Sequence, residues 1–555
     1  MEELIREVLG DALNRAKEAG ELNYECVPDI VLRRPPDKAQ GDLASTIALQ
    51  LASQLRRKPR EVAECLVKHL ETGHSPVQKC EIAGPGFINF FLNQDFWADE
   101  LLQILKARDQ FGRIDIGQQQ KVQVEFVSTN PTGPLHVGHG RGAIVGDMTA
   151  RVLAYAGYNV QREYYVNDAG SQMDKLGQST WCRYMELQGK DVPFAEDGYQ
   201  GEYIYDIAKK MIEEKGAVYV SMPYEEALPT FKRYACQEIL QGIRENLERF
   251  NVTFDEWFSE QQLHDANAIE SVVERLQSEG VMYEDGGAMW FKSTDYGDEK
   301  DRVVIRSDGR PTYFASDIAY HDNKFARGFQ KVINVWGADH HGYVPRMKGV
   351  VRALGYEEDA LEVILVQMVS LLRDGERVAM STRSGKFITL AEVVDEVGVD
   401  ATRFMFNMRR CDSQLEFDLE LAKRHSRENP VYYVQYAHAR ICSIFRGADE
   451  QGIMLPETSE IDFRLLTLDE ERELIARLRH FPKVIEVSAR YLEPHRITYY
   501  VHDVASVFHA YYNKHRVVDT EDLPLSHARL ALVQGIQIVL QNALALLGVS
   551  APEQM

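Results

Sequence analysis

Cysteine is scarce and unpatterned in this sequence. The seven residues, Cys26, Cys65, Cys80, Cys182, Cys236, Cys411 and Cys442, are odd in number and form no C-x-x-C pair. Neither a disulfide framework nor a structural zinc site is expected from them. Also missing is any unbroken apolar run of the length that a bilayer span requires. The most apolar late segment, Leu530 to Leu547, is interrupted by Gln534, Gln537, Gln541 and Asn542 and reads as an amphipathic helix packed on a domain. The opening residues, MEELIREVLG, are acidic and hold no apolar signal core, so a cytoplasmic chain with no membrane partner is expected. There is no internal repeat and no low-complexity tract.

Positive charge is in deficit overall: 63 Lys and Arg against 85 Asp and Glu give a net charge of −22. For a nucleic-acid partner the distribution matters more than the sum. Residues 31–60 hold seven Lys/Arg and two Asp, residues 472–516 hold eight Lys/Arg, four acids and five histidines, and residues 191–300 hold ten Lys/Arg against 24 acids. Two basic zones therefore flank an acidic middle. Each alone reads as a solvated helix face; together with the motifs below they point to a phosphate backbone lying across both ends. With 45% hydrophobic and 27% charged residues the remainder is ordinary globular sequence, and 555 residues predict two to four domains.

The text changes character twice. The first hundred residues show helical spacing at Leu4, Ile5, Val8 and Leu9 and again from Ala44 to Leu55. EIAGPGFINFFL, from Glu81, reads as a turn and a strand, and Phe96 to Ala107 as a charged helix. From Lys121, KVQVEFVS alternates as a strand, TNPTGPLHVGHG is a turn, RGAIVGDMTARVLAYAG a helix and NVQREYYV a second strand. That order predicts a parallel sheet. VINVWG (from Val332) and LEVILVQMVSLL (from Leu361) add strands, while the acidic stretch between about 190 and 300 reads as a largely helical insertion. From Ser426 onward, VYYVQYAHARICSIFR, RELIARLRHFPKVIEVSARY, RITYYVHDVASVFHAYYNKH and RLALVQGIQIVLQNALALLG carry apolar stripes near the helical period and predict a bundle. The expected fold class is α/β. Residues 1–115 form an N-terminal α/β domain, 116–425 a Rossmann-like parallel-sheet domain with insertions around 190–300, and 426–555 an α-helical bundle.

The strongest chemical signal is STNPTGPLHVGHGRGA, Ser128 to Ala143. His136 and His139 stand three apart at a helix start and share a face. Gly138 between them lets a ligand press against backbone, and free N–H groups at a helix N-terminus suit a phosphate. Two imidazoles there can hydrogen-bond an α-phosphate that gains charge in its transition state. A lone H-x-x-H is more often a satisfied loop pair; the preceding strand, the Pro-Thr-Gly-Pro turn and the Gly-rich helix start favour the functional reading. Gly337, Asp339, His340 and His341 form a second polar cluster after a β-rich run, where parallel sheets bind ligands. No further ligand stands near them in sequence, and no fixed metal is expected.

His136-Val137-Gly138-His139 matches the His-Ile-Gly-His signature of class I aminoacyl-tRNA synthetases. The longer run EFVSTNPTGPLHVGHGRGAIVGD resembles the bacterial arginyl enzymes, as do RSDGRPTYFASDIAYH (Arg306 to His321), VWGADHHGYVPRMK (Val335 to Lys348) and Met380 to Leu390. The resemblance covers nearly the whole chain. It departs at the second signature, Lys-Met-Ser-Lys-Ser. Here Ala379-Met380-Ser381-Thr382-Arg383-Ser384-Gly385-Lys386 keeps Met-Ser and neither lysine. Such a lysine holds the β- and γ-phosphates as a point charge, and Arg383 or Lys386 is the candidate replacement.

The resemblance implies an enzyme that activates arginine with ATP and Mg²⁺ and transfers it to tRNA-Arg. It assigns catalysis to His136, His139, Ser381, Arg383 and Lys386, and the ATP side to Gly138, Gly337, Asp339, His340, Met368 and Met380. Gln367-Met368-Val369 then lines an adenine slot, with a plain core strand as the alternative. Tyr313 and Asp317, four apart and on one face if helical, fall to the guanidinium. Glu125 and Asn130 fall to the side-chain and amino-acid ends of the substrate. A planar guanidinium prefers a carboxylate. A site built on such polar contacts rejects lysine by roughly 10⁴-fold or more without editing. Phe87 and Asn89 are implied contacts to the tRNA D-loop, and Tyr436, Ala437, His438, Arg440 and Met555 to the anticodon. The family also implies a monomer that activates arginine only with tRNA bound. Three rivals remain. A weak or inactive RNA-binding paralogue is favoured by the missing lysines and opposed by His136, His139 and Asp317. Another nucleotidyl transferase with the same loop would lack the long bundle and the added N-terminal domain. A cysteinyl enzyme would normally carry zinc ligands.

Overall fold

The computed structural model describes residues 2–35, 37–70, 77–378 and 388–555, which form two compact units. The larger comprises residues 109–443, 480–509 and 539–555 and is built on a five-stranded parallel sheet. Its strands in chain order are β1 (Lys121–Glu125), β2 (Asn159–Val166), β3 (Glu256–Ser259), β4 (Lys331–Gly337) and β5 (Leu361–Val366). Across the sheet they run β5-β4-β1-β2-β3, all parallel. In the central β1, Val122, Gln123, Val124 and Glu125 are all buried, so the strand is covered on both faces. The chain builds β2 and β3 on one side of β1, then β4 and β5 on the other. The carboxyl ends of β1 and β4 therefore mark a topological switch point, the place where open parallel sheets bind ligands.

Helix α1 (Val137–Tyr155) joins β1 to β2, and helix α2 (Tyr313–Ala326) leads into β4. A Cβ on Gly146 would stand 2.2 Å from Phe126, so glycine is what lets α1 close over the end of β1. Before β3 the acidic stretch is helical, with Glu202–Lys215 and Tyr224–Arg249 packed beside Ser171–Leu187 around Tyr184, Met211 and Phe231. The insertion is largely helical, as expected, and further on it adds the helices Gln261–Asp265 and Ala268–Ser278. The same stretch supplies edge strand β3 and the antiparallel pair Met282–Asp285 and Ala288–Phe291, which Arg302–Ile305 completes as a three-stranded sheet. LEVILVQMVSLL likewise divides. β5 ends at Val366, and Val369–Arg373 pairs with Leu415–Asp418 in another sheet. Between them the Gln367 N–H donates to Cys411 O at 2.8 Å and its carbonyl accepts from Arg141 at 2.9 Å, which takes both groups out of any ladder.

The smaller unit holds residues 1–108, 444–479 and 510–538. Its antiparallel sheet orders Leu32–Arg33, Leu43–Ser45, Phe87–Leu92 and Val77–Ala83. Ala44 is thus a strand residue and its helix starts only at Ile47, while the strand expected after the Gly-Pro-Gly turn is the second arm of a hairpin. The helices past residue 430 are Pro430–Glu450, Asp469–Leu478, Phe481–Tyr491, His495–Lys514 and Leu523–Leu547, and they contribute to both units. RELIARLRHFPKVIEVSARY is two helices because Pro482 has no N–H and its ring excludes the Leu478 carbonyl. Leu523–Leu547 is long and apolar enough to cross a bilayer, but 72% of its most apolar window is buried inside the protein.

Candidate active site

The chain leaves β1 under strain. Val127 and Ser128 take left-handed φ values of 66° and 39°, unfavourable for a β-branched residue above all. Ser128 ties the bend down: its Oγ donates to Glu125 Oε1 at 2.9 Å and accepts from the Tyr165 N–H of β2 at 3.1 Å.

His136 then caps α1. Its Nδ1 accepts from the Gly138 N–H at 3.1 Å, and the Nδ1 of His139 accepts from the His136 N–H at 3.2 Å. The rings stack with centroids 3.4 Å apart and planes 23° from parallel. Because Nδ1 accepts in both, each neutral ring carries its proton on Nε2. Burial lowers the pKa of both and takes His139 down to about 3, the neighbouring ring adding to the effect. One expectation fails here. The N–H groups of His136, Val137, Gly138 and His139 are all engaged, by His139 Nδ1, Ile388 O, His136 Nδ1 and His136 O. The donors that suit a phosphate are therefore the imidazoles rather than the helix N–H groups. Val137 N–H to Ile388 O (3.2 Å) and Leu390 N–H to Leu135 O (2.8 Å) also tie this loop to the segment that follows the second signature. Met380, Ser381, Arg383 and Lys386 of that signature lie outside the described residues.

The acidic half of the site stands on α2 and the ends of β1 and β3. Tyr313, 56% exposed, opens α2, and Asp317 follows one turn later, as its spacing predicts. The Tyr343 hydroxyl donates to Asp317 Oδ2. Burial pushes the Asp317 carboxyl up to about 7, opposed by the Tyr343 hydrogen bond, reinforced by the charges of Glu125 and Glu260, and opposed again by Lys324. Glu125 does not stand free: fully buried Lys324 donates from Nζ to its Oε2 at 2.6 Å and to Asn334 Oδ1 at 2.9 Å. His321 completes the layer, its Nε2 2.9 Å from Asn334 Nδ2 and its Nδ1 2.8 Å from the Asp317 carbonyl. Asn130 is exposed and donates to Gln172 Oε1 at 2.8 Å. Glu125 and Glu260 both act on Asp317, and Lys324 is the one ammonium that opposes them, so this group of carboxyls is short of positive charge.

Past β4, Gly337 gives room for Asp339, whose Oδ1 would lie 2.4 Å from a Cβ there. Asp339 and His340 are exposed on a short 3₁₀ turn, His340 Nε2 3.6 Å from Asp339 Oδ2. Met368 is 76% exposed, so it is no core residue. The loop that carries it is set by Arg141, on the first turns of α1. This guanidinium is fully buried and donates to the carbonyls of Gln367 (2.9 Å), Ser413 (2.7 Å) and Arg410 (2.8 Å).

Residues expected to touch RNA divide by exposure. In the smaller unit, Phe87 is 37% exposed whereas Asn89, two residues on, is buried between Ala44 and Glu81 of the adjacent strands. In the larger unit, Tyr436 is 37% exposed, Arg440 lies 4.7 Å over its ring, and Tyr432 and His425 extend a parallel aromatic row. His438 is 1% exposed and faces inward. Its Nδ1 lies 2.9 Å from the Pro552 carbonyl and its Nε2 3.0 Å from Gln541 Nε2, which seats the C-terminal segment. Met555 then lines a recess of about 750 Å³ with His425, Tyr432 and Gln435.

A parallel sheet with a paired-histidine helix start at its switch point is the arrangement of a class I tRNA synthetase, and residues 100–418 match the family "tRNA synthetases class I (R), catalytic domain". Residues 3–92 match "Arginyl tRNA synthetase N terminal domain" and residues 434–555 "DALR anticodon binding domain". The chain is 52% identical to an arginine–tRNA ligase of Syntrophotalea carbinolica and 53% identical to one of Geobacter sp. (strain M21), each alignment covering 100% of both chains. It shares its fold with the Thermus thermophilus arginyl-tRNA synthetase, at a TM-score of 0.73, 24% identity and 99% coverage of both chains. The chain belongs to the arginyl-tRNA synthetase family.

Proposed function

We propose that this chain is an arginine–tRNA ligase that activates arginine with MgATP and passes it to the 3′ end of tRNA-Arg. The observation that carries the reading is the pairing of a cation-deficient carboxyl cluster with two neutral, Nε2-protonated imidazoles on the loop that leaves the same strand. The arginine carboxylate attacks the α-phosphorus of ATP, the bond to the β-phosphate oxygen breaks, and pyrophosphate leaves. The 2′-hydroxyl of the terminal adenosine then attacks the acyl carbon and AMP leaves. No covalent enzyme intermediate is required; positioning and charge stabilisation supply the rate.

His136 and His139 donate from Nε2 to the α-phosphate as its charge grows, and exposed Gly138 lets the nucleotide approach. Asp339, His340 and Met368 take the ribose and adenine, with Gly337 giving the turn its room. Ser381, with Arg383 or Lys386, holds the departing pyrophosphate. Asp317 and Tyr313 receive the guanidinium, Asn130 the amino-acid end, and Glu125 contributes charge while held by Lys324. Phe87 stacks on a D-loop base with Asn89 supporting its strand from within. Tyr436, Arg440 and Met555 meet the anticodon, and His438 shapes that surface by holding the C-terminal segment. The working division is 1–115 for the D-loop, 116–425 for catalysis and 426–555 for the anticodon, in a cytoplasmic monomer that uses no membrane.

Charging of bulk tRNA with each of the twenty labelled amino acids tests the reading. Arginine alone should be incorporated, and only with ATP present; incorporation of a different amino acid, or of none by folded protein, overturns it.

A further inference from the structure

Aminoacyl transfer leaves unused a cluster in the smaller unit where a thiol, an imidazole and a carboxylate converge. Cys65 and His69 stand four apart at the end of the helix Pro59–Lys68, so they face the same way. Glu21 reaches them from the turn that follows the helix Glu2–Glu18. Lys68 Nζ donates to Glu21 Oε1 at 2.6 Å, and the other oxygen, Oε2, then lies 3.4 Å from Cys65 Sγ and 3.4 Å from His69 Nε2. The three donor atoms all fall within 4.8 Å of one another. Cys65 is 7% exposed, and His69 Nε2 is sealed from water without a hydrogen bond of ordinary geometry.

We propose that Glu21, Cys65 and His69 form a three-ligand site for a borderline-soft divalent cation, zinc being the best match, with the fourth position open to water. Thiolate, imidazole and carboxylate are the donor set zinc accepts, and the sulfur and nitrogen disfavour Mg²⁺ and Ca²⁺, which want oxygen. Tetrahedral zinc with bonds of about 2.0–2.3 Å sets neighbouring ligand atoms about 3.3–3.6 Å apart. Both edges that meet at Glu21 Oε2 already have that length. On binding, the Cys65 S–H bond breaks, its proton goes to solvent, and sulfur bonds the metal. Thiolate and carboxylate together balance the two positive charges, and Lys68 stays on Oε1 outside the coordination sphere. Because the thiolate is the form that binds, metal displaces a proton and affinity should climb with pH. Occupancy would clamp the first turn of chain to a helix 44 residues further on.

The test uses the full reduced chain, stripped of metal by chelator, and Co²⁺ as a visible stand-in for zinc. One equivalent of Co²⁺ should give a thiolate-to-metal charge-transfer band and tetrahedral ligand-field bands, both bleached by stoichiometric Zn²⁺. Cys65→Ser should abolish the charge-transfer band, and His69→Gln and Glu21→Gln should each weaken binding at least ~10-fold, with circular dichroism reporting an unchanged fold. Glu21→Gln, at the exposed edge of the cluster, keeps the test open should a buried variant fail to fold. The proposal is overturned if folded wild-type chain shows no such band at stoichiometric Co²⁺, or if the band persists in Cys65→Ser or keeps its affinity in Glu21→Gln.

Discussion

Lys324 holds Glu125 from behind: an ammonium with no solvent exposure lies 2.6 Å from Oε2 of a carboxylate at the end of the central strand. The bond joins α2 to β1 and fixes Glu125, whose charge still acts on Asp317. Removing one partner of a buried pair strands the other. Lys324→Met should therefore cost about 3–5 kcal/mol, measured as a lower urea midpoint. Adding Glu125→Gln should recover part of that loss, because the stranded charge is then gone; equal stability of the single variant and the wild type would show the pair to be unimportant.

The stacked imidazoles should act as neutral donors. His136→Phe and His139→Phe are each expected to lower kcat for arginine- and tRNA-dependent pyrophosphate exchange by about 10²–10³-fold, with small changes in KM. Burial holds His139 neutral down to about pH 3, so its protonation should cause no loss of rate between roughly pH 8 and 5. A wild-type acid limb near pH 6 that disappears in His139→Asn would contradict this.

Arg141 should govern the nucleotide side without touching substrate. Its guanidinium ties the carbonyls of Gln367, Arg410 and Ser413 to the start of α1. Arg141→Met leaves three carbonyls short of a donor, each worth about 1–3 kcal/mol if buried. Loosening of the Met368 loop should raise the KM for ATP well above any change in the KM for arginine. A parallel rise in both, in initial-rate assays, would mark the residue as merely structural.

Much of this was legible in the sequence because the chemistry sits where backbone rules are strong. The alternation of KVQVE, the turn after it and the histidine spacing specified β1, α1 and the paired rings. The helical spacing of Tyr313 and Asp317 held as well. What escaped were groups whose roles depend on long-range burial. Lys324 sits in the last turn of α2, where a cation reads as an ordinary helix-end charge, yet it faces a strand 199 residues away in sequence. Arg141 reads as an exposed helix residue, and its partners lie more than 200 positions on. Asn89 and His438, which the resemblance gives to RNA, are buried, and a polar side chain in sequence does not signal the internal partners or cover that the fold supplies. At the start of α1 the histidine pair itself takes the N–H groups of His136, Gly138 and His139, while that of Val137 goes to Ile388, a return that the sequence does not display.

The most direct check concerns Asp317 and the guanidinium. With its pKa near 7, this carboxyl is protonated in much of the free protein at mildly acidic pH, and it binds more protons folded than unfolded. By linkage its contribution to stability falls as pH rises from the ordinary Asp value of about 4 toward 7, and a bound guanidinium reverses that by favouring the ionised form. Calorimetric titration of arginine from about pH 6 to 8, in buffers of different ionisation enthalpy, measures the coupling. Affinity should strengthen as pH rises, with up to one proton released below pH 7, and Asp317→Asn should bind weakly and without proton release. Arginine affinity that is flat with pH and unchanged in Asp317→Asn would contradict the assignment.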